Sequence, residues 1–251
     1  MRRTYYIDYA CACTLGKVRK NNEDNFYCDK NYRLNPDLLE DVVLCGKVRS
    51  TDNELFAVFD GMGGEACGEV ASFIAAQNCY DYCKDKDSYD EYLYELSNIL
   101  NKKIVEETKA RSQVLMGTTA AMIQFHKNEI YILNAGDSRI YKFTKNKLDL
   151  ISEDHVVEGF NSKAPLTKFL GIPQDELLPY IAKGAYKNAD VFILCTDGVY
   201  DMVKEEQMIS LLKQKKKLSK IAEDIIEHAK KNGGIDNATV ILCKITTQKA
   251  S

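Results

Sequence analysis

Apolar runs that stop at an Asp-Gly pair set the pattern of this chain. Leu55-Phe56-Ala57-Val58-Phe59 is one such run and Phe192-Ile193-Leu194-Cys195 another; their length and their aromatic and β-branched content are those of buried strands. The first meets Asp60-Gly61-Met62-Gly63-Gly64, whose glycines are expected to end the strand, leave Asp60 at its tip and let the backbone approach an ion or ligand closely. The second meets Thr196-Asp197-Gly198. Further on, Asp236-Asn237 precede Ala238-Thr239-Val240-Ile241-Leu242, so here the acid stands at the start of a strand instead of its end.

Loose alternation makes residues 5–15 a first strand with Tyr5, Ile7 and Tyr9 on one face, and Phe26-Tyr27-Cys28 a second. Residues 41–45 predict a strand or edge hairpin. Helical spacing predicts helices over 65–84 and 89–111, the second with Tyr92, Leu96, Leu100 and Ile104 along its apolar stripe. Residues 116–125, 130–133 and 139–143 read as a meander of antiparallel strands, 179–184 as an edge strand and 191–195 as a central one. Helices over 205–212 and 218–231, the latter capped by Gly233-Gly234, come before the last strand. Strands, two helices, strands, two helices and a final strand together argue for an α+β fold.

Any one of these acids could belong to an ordinary Asp-Gly turn; the recurrence argues for more. If the strands are neighbours, antiparallel pairing brings Asp60, Asp197 and Asp236 to one edge of a sheet. Carboxylates gathered so closely repel unless a cation lies between them, and their hard oxygens suit Mg²⁺ or Mn²⁺. The polar stretch from Arg19 to Asn25 could be only a loop before a strand, but it adds Glu23, Asp24 and a guanidinium suited to phosphate. An acid cluster with an arginine points to metal-assisted phosphate chemistry.

Composition narrows the alternatives. A formal charge of −3 and a pI near 5.8 leave no nucleic-acid footprint, and the lysines of residues 213–220 fall between two helices as a solvated end. The nine cysteines are odd in number and several lie inside apolar runs, so they are expected to be reduced; none pairs with the three histidines at zinc-site spacing. With no signal peptide and no membrane-length apolar run, the protein is expected in the cytoplasm.

Six ordered blocks carry a family resemblance: Arg19 to Asn25, Val58 to Gly64, Met116-Gly117-Thr118-Thr119, Asn134-Ala135-Gly136-Asp137-Ser138-Arg139, Thr196-Asp197-Gly198-Val199-Tyr200-Asp201 and Asp236-Asn237-Ala238-Thr239. Together they resemble the metal-dependent protein serine/threonine phosphatases of type 2C, in their compact bacterial form. The resemblance implies a four-layer sandwich, two central antiparallel β-sheets flanked by pairs of α-helices, as one catalytic domain over residues 1–251. It implies two Mn²⁺ or Mg²⁺ ions bridged by Asp60. Asp197 and Asp236 complete one site; Glu23 and the Gly61 carbonyl serve the other, with Asp24 in or just outside its ligand shell. Arg19 binds the substrate phosphate, and a metal-activated water hydrolyses phosphoserine or phosphothreonine on proteins with no covalent intermediate. Substrates phosphorylated by a serine/threonine kinase, and a monomer acting with neither nucleic acid nor membrane, are the implied setting.

The chain departs from the family at several places. Met62 replaces a histidine credited in some members as general acid, and Leu115 replaces an acid that helps hold a third ion, so a third site is expected to be weak or absent. The flap, about residues 156–169, is short. These departures keep open a weakly active or inactive pseudophosphatase that binds phosphoproteins. A haloacid-dehalogenase-like enzyme fits less well because Met62 stands where its second aspartate belongs. A metal-dependent nuclease lacks its basic groove. Asp137 and Arg139 are expected to form a turn salt bridge, and His155 and Cys195 to be structural.

Overall fold

The computed structural model describes residues 4–35, 39–52, 54–62, 67–82, 89–113, 115–160, 164–172 and 177–248. In chain order the elements are strands β1 (Thr4–Thr14), β2 (Asp24–Cys28), β3 (Val42–Arg49) and β4 (Leu55–Met62), then helices α1 (Gly68–Tyr82) and α2 (Tyr89–Ala110). Strands β5 (Gly117–Thr118), β6 (Ala120–His126), β7 (Glu129–Ala135), β8 (Arg139–Thr144), β9 (Lys147–Leu150), β10 (Tyr180–Ala185) and β11 (Val191–Cys195) follow. Helices α3 (Asp197–Tyr200), α4 (Glu205–Leu212) and α5 (Leu218–Lys231) lead to strand β12 (Ala238–Gln248).

Two antiparallel sheets result. One has the order β3-β1-β12-β11-β8-β9, the other β10-β7-β6-β4-β2, with β5 added at the end of β4. Alternation decides which side chains meet. In β1, Ile7, Tyr9, Cys11 and Cys13 face Phe26, Phe56, Val58 and Phe125 of the other sheet. The intervening Ala10 and Ala12 lie with Val240 and Leu242 beneath Ile221, Ile225 and Ile226 of α5. In β4, Leu55, Ala57 and Phe59 turn the other way, toward Ala71 and Ala75 of α1 and Leu93, Leu96 and Leu100 of α2. Both faces of the central strands are covered, so their residues are apolar without a break. The expected four-layer α+β sandwich is the observed architecture, and no helix among the described residues is long and apolar enough to cross a membrane.

Four local expectations change. Strand β4 does not stop at Asp60: Gly61 and Met62 continue it, paired with Thr118 and Gly117. A Cβ on Gly61 would lie 2.1 Å from the Gly68 carbonyl oxygen, so the glycine admits the start of α1 against the strand and does not break it. Gly63, Gly64 and Glu65, and Cys83 and Lys84 at the expected end of the first helix, lie outside the described residues. The strand expected over 116–125 is divided at Thr119, whose amide donates to the Asp60 carbonyl at 2.9 Å. The expected meander also breaks. Strands β6 and β7 form a hairpin, but β8 joins the other sheet beside β11, because the chain leaves β7 through Gly136 at φ +109°. Lastly, β4 is no sheet neighbour of β11 and β12, so Asp60 belongs to the opposite sheet from the strand ends that carry Asp197 and Asp236, and the three do not share one sheet edge.

Glu54 immediately precedes β4, at the end of the strand remote from Asp60. Burial pushes its carboxyl up to about 7, and the charge of Asp29 adds to the shift. Between the ordinary value of 4.5 and about 7 the folded protein therefore holds a proton that the unfolded chain has released. That stability is complete below the ordinary value and is lost as pH rises through 7. Replacing Glu54 with Gln is expected to remove about 1–2 kcal/mol of the fall in stability between roughly pH 5 and 8, allowing for its partial exposure. Urea unfolding of both proteins across that range is the check; parallel curves would contradict it.

Candidate metal centre

Strand pairing builds one wall of the centre. Asp24 of β2 is paired with Asp60 of β4, and the Gly61 amide donates to the Glu23 carbonyl at 3.1 Å. Asp60 is held by a threonine pair: its amide donates to Thr119 Oγ1 at 3.0 Å, and its carbonyl accepts Thr118 Oγ1 at 2.9 Å. Glu23 lies against the start of α1, where a Cβ added to Gly68 would sit 2.6 Å from Glu23 Oε1. A carboxylate is favoured there by the positive end of the helix dipole.

The other sheet supplies the opposite wall. Asn237, just before β12, uses its side chain as a joint: Oδ1 accepts the Glu23 amide at 2.9 Å, while Nδ2 donates to the carbonyls of Leu15 and Asn21, each at 2.9 Å. This fastens the loop carrying Arg19 to the loop carrying Asp236. Arg19 Nη2 reaches Asp236 Oδ2 at 2.7 Å, with the two side chains 44% and 24% exposed. A cavity of about 400 Å³ opens between the walls, lined on its polar side by Arg19, Glu23, Asp60, Gly61, Asp137 and Asp236 and on its apolar side by Met62, Ala164, Pro165 and Leu166.

Asp24 and Asp197 are buried and do not line this cavity. Asp24 Oδ2 accepts the hydroxyls of Thr196 at 2.8 Å and Thr239 at 2.6 Å, tying β2 to the ends of β11 and β12. Its Oδ1 is buried with no hydrogen bond among the described residues. Burial pushes its carboxyl up to about 7, with the charges of Asp197 and Asp236 adding to the rise and the two threonine hydroxyls opposing it. Asp24 thus stands behind the acids instead of beside them. Both threonines lay within the quoted blocks, Thr196 next to Asp197 and Thr239 three residues after Asp236, but neither was given a role. Asn237 and Thr119 lay within the quoted blocks without a role.

Other expectations resolve as follows. Arg139 grips Asp154, through Nη2 at 2.7 Å and Nε at 3.0 Å, and stacks 3.9 Å over the Tyr200 ring. The expected turn bridge to Asp137 is therefore replaced by one to Asp154, and Asp137 lines the cavity. His155 is buried, its Nδ1 accepting the Gly136 amide at 3.3 Å, and burial lowers its pKa. Burial pushes the Cys195 thiol up to about 12, so no thiolate nucleophile is available there. The flap is closed at its base by the pairing of Val156 with Leu166.

The candidate donors are carboxylates and a backbone carbonyl, with neither His nor Cys among them, a set whose chemistry suits hard divalent cations. Burial is the main cause of the raised Asp24 carboxyl, and the charges of Asp197 and Asp236 add a repulsion that such cations would offset. As the side chains stand, no group of three or more His, Cys, Asp or Glu among the described residues is gathered closely enough to hold an ion. The expected convergence is thus of strand ends and loops, with Asp236 turned to Arg19.

The chain is 30% identical to the serine/threonine phosphatase stp of Listeria welshimeri, over 90% of this chain and 91% of that protein. It is 28% identical to the serine/threonine protein phosphatase PstP of Mycobacterium tuberculosis, over 97% of this chain and 46% of that one. Among solved structures it is similar to the catalytic domain of PstP in complex with two manganese ions, with a TM-score of 0.78, 25% identity, and coverage of 96% of this chain and 99% of that chain. The profile of the Protein phosphatase 2C family matches residues 38–238, and the chain belongs to that family.

Proposed function

We propose that this protein hydrolyses phosphoserine and phosphothreonine on protein substrates, using two Mn²⁺ or Mg²⁺ ions and no covalent intermediate. The observation that carries the reading is the cavity in which Arg19 faces Glu23, Asp60 and Asp236 where the two sheets meet. The manganese-bound relative supports the choice of ion.

Glu23, Asp60 and the Gly61 carbonyl would hold one ion, and Asp60, Asp197 and Asp236 the other. Bound there, such ions supply a nucleophile from water near neutral pH and offset charge on phosphoryl oxygens. Asp24 braces the acids from behind through Thr196 and Thr239. Arg19, exposed enough to swing between Asp236 and a ligand, binds phosphoryl oxygens through its planar donors. Met62, Pro165 and Leu166 exclude water from one side of the cavity. No histidine among the described residues lines it, so the leaving alkoxide takes its proton from water or from another residue. Residues 1–251 form one catalytic domain with a short flap, acting as a monomer on the targets of a serine/threonine kinase. A cytoplasmic setting is supported by the free thiols of the described cysteines. The retained acids leave the pseudophosphatase reading without an observation in its favour.

Phosphate release from a phosphothreonine peptide and from p-nitrophenyl phosphate, with Mn²⁺, Mg²⁺ or EDTA, tests the reading. Release is expected only with metal, and Arg19→Ala is expected to raise KM roughly tenfold with the ions still bound. Folded protein that releases nothing with Mn²⁺, or releases phosphate equally in EDTA, would refute it. An unchanged KM would remove Arg19 from phosphate binding.

A further inference from the structure

Strand β2 is the edge of its sheet, with a neighbouring strand on only one of its sides among the described residues. The Glu23 carbonyl points inward and accepts the Gly61 amide of β4. By strand alternation the carbonyls of Asn22 and Asp24 point outward, where an edge leaves such groups without a ladder partner. Both accept from one residue: Arg33 Nη1 donates to the Asn22 carbonyl at 2.9 Å and to the Asp24 carbonyl at 2.5 Å. Arg33 is only 5% exposed. Its main chain is fixed to the same strand, its amide donating to Asn25 Oδ1 at 3.0 Å and its carbonyl accepting Asn25 Nδ2 at 3.3 Å.

This accounts for the backbone on both sides of Glu23. Its amide goes to Asn237, its carbonyl to Gly61, and the two flanking carbonyls to Arg33. With both flanking peptide planes held, the direction in which the Glu23 side chain leaves the strand is held as well. A buried guanidinium is costly to desolvate, and among the hydrogen bonds that offset the cost are two to the carbonyls either side of a single acid.

We propose that Arg33 is a positioning residue for Glu23: by standing in for the missing strand beside β2 it aims the Glu23 carboxylate into the cavity and thereby sets the affinity of one of the two ion sites. The role rests on the ion-binding reading above. It does not require Arg33 to touch ion or substrate.

The test titrates metal-free wild type, Arg33→Met and Arg33→Lys with Mn²⁺, following the free ion by its electron paramagnetic resonance signal. Arg33→Met is expected to weaken one ion by about tenfold or more and leave the other within about twofold, the scale on which partners behind a ligand act. Hydrogen exchange at the Gly61 amide, measured without metal, is expected to quicken in Arg33→Met while amides of β6 and β7 keep their protection. Folded Arg33→Met that binds both ions as wild type does, or keeps wild-type protection at Gly61, would overturn the proposal. Equal loss of protection at every amide would also overturn it, since Arg33 would then serve the fold alone. If Arg33→Met does not fold, Arg33→Lys decides: one ammonium cannot span both carbonyls as the guanidinium does, so a partial loss at one site is expected and wild-type affinity at both refutes the role. Wild type that binds no Mn²⁺ would refute the function reading instead, and the Gly61 exchange would still decide whether Arg33 holds the loop.

Discussion

Replacing Asp197 with asparagine is expected to lower Mn²⁺-dependent release of phosphate from a phosphothreonine peptide by about a thousandfold, the order found when a fixed electrostatic partner of the reaction is removed. Asp197 is the first residue of α3 and is buried at the end of β11. An amide there offers one neutral oxygen where a hard cation needs an anionic one. The fold is expected to survive. Asp24 lies close enough for the charge of Asp197 to push its carboxyl up, and a neutral side chain removes that repulsion. In EDTA the melting temperature of the variant should therefore equal or exceed that of wild type. Turnover within tenfold of wild type would take Asp197 out of the ion-binding set. A melting temperature lowered by many degrees would show instead that the acid serves the fold.

Gly61→Ala is expected to fail for the opposite reason, through shape and not charge. The added methyl would lie 2.1 Å from the Gly68 carbonyl oxygen and 2.6 Å from that of Glu23. Both are backbone atoms, so relief requires moving either the start of α1 or the Glu23 loop. Overpacking of this kind costs about 1–3 kcal/mol or more, which for a chain of this size lowers the melting temperature by roughly 2–12 °C. Activity should fall further than stability, because the parts that must move carry Glu23 and the Gly61 carbonyl. Differential scanning calorimetry and an Mn²⁺ titration separate the two effects. A variant with wild-type melting and wild-type ion affinity would show that the contact between β4 and α1 is not needed by the site.

The chemistry was legible because the acids and glycines occupy fixed places relative to apolar runs. Helices over 205–212 and 218–231 appear with the expected bounds because a 3.6-residue apolar stripe is a local property. The same holds for β11, an apolar run that ends where α3 begins. Asp60 lines the cavity, but the strand runs on past it to Met62 instead of ending there. Glycine's lack of a side chain permits both a strand break and a close helix contact, and only the position of α1 decides between them.

By itself, the sequence determined the α+β class, the apolar faces, the family and the acids that line the cavity or stand behind it. These depend on residue type and spacing along the chain. Tertiary structure decided which sheet each strand joins, that Asp60 meets Asp236 across the sandwich, and that Asp24 turns to Thr196 and Thr239. It also decided that Arg139 pairs with Asp154 and that Arg33 closes the open edge of β2. Each of these is a contact between residues distant in the chain, or a choice among partners of equal chemistry. Local periodicity carries no term for that choice, since it is made by which surfaces are left to bury and which backbone groups are left to pair.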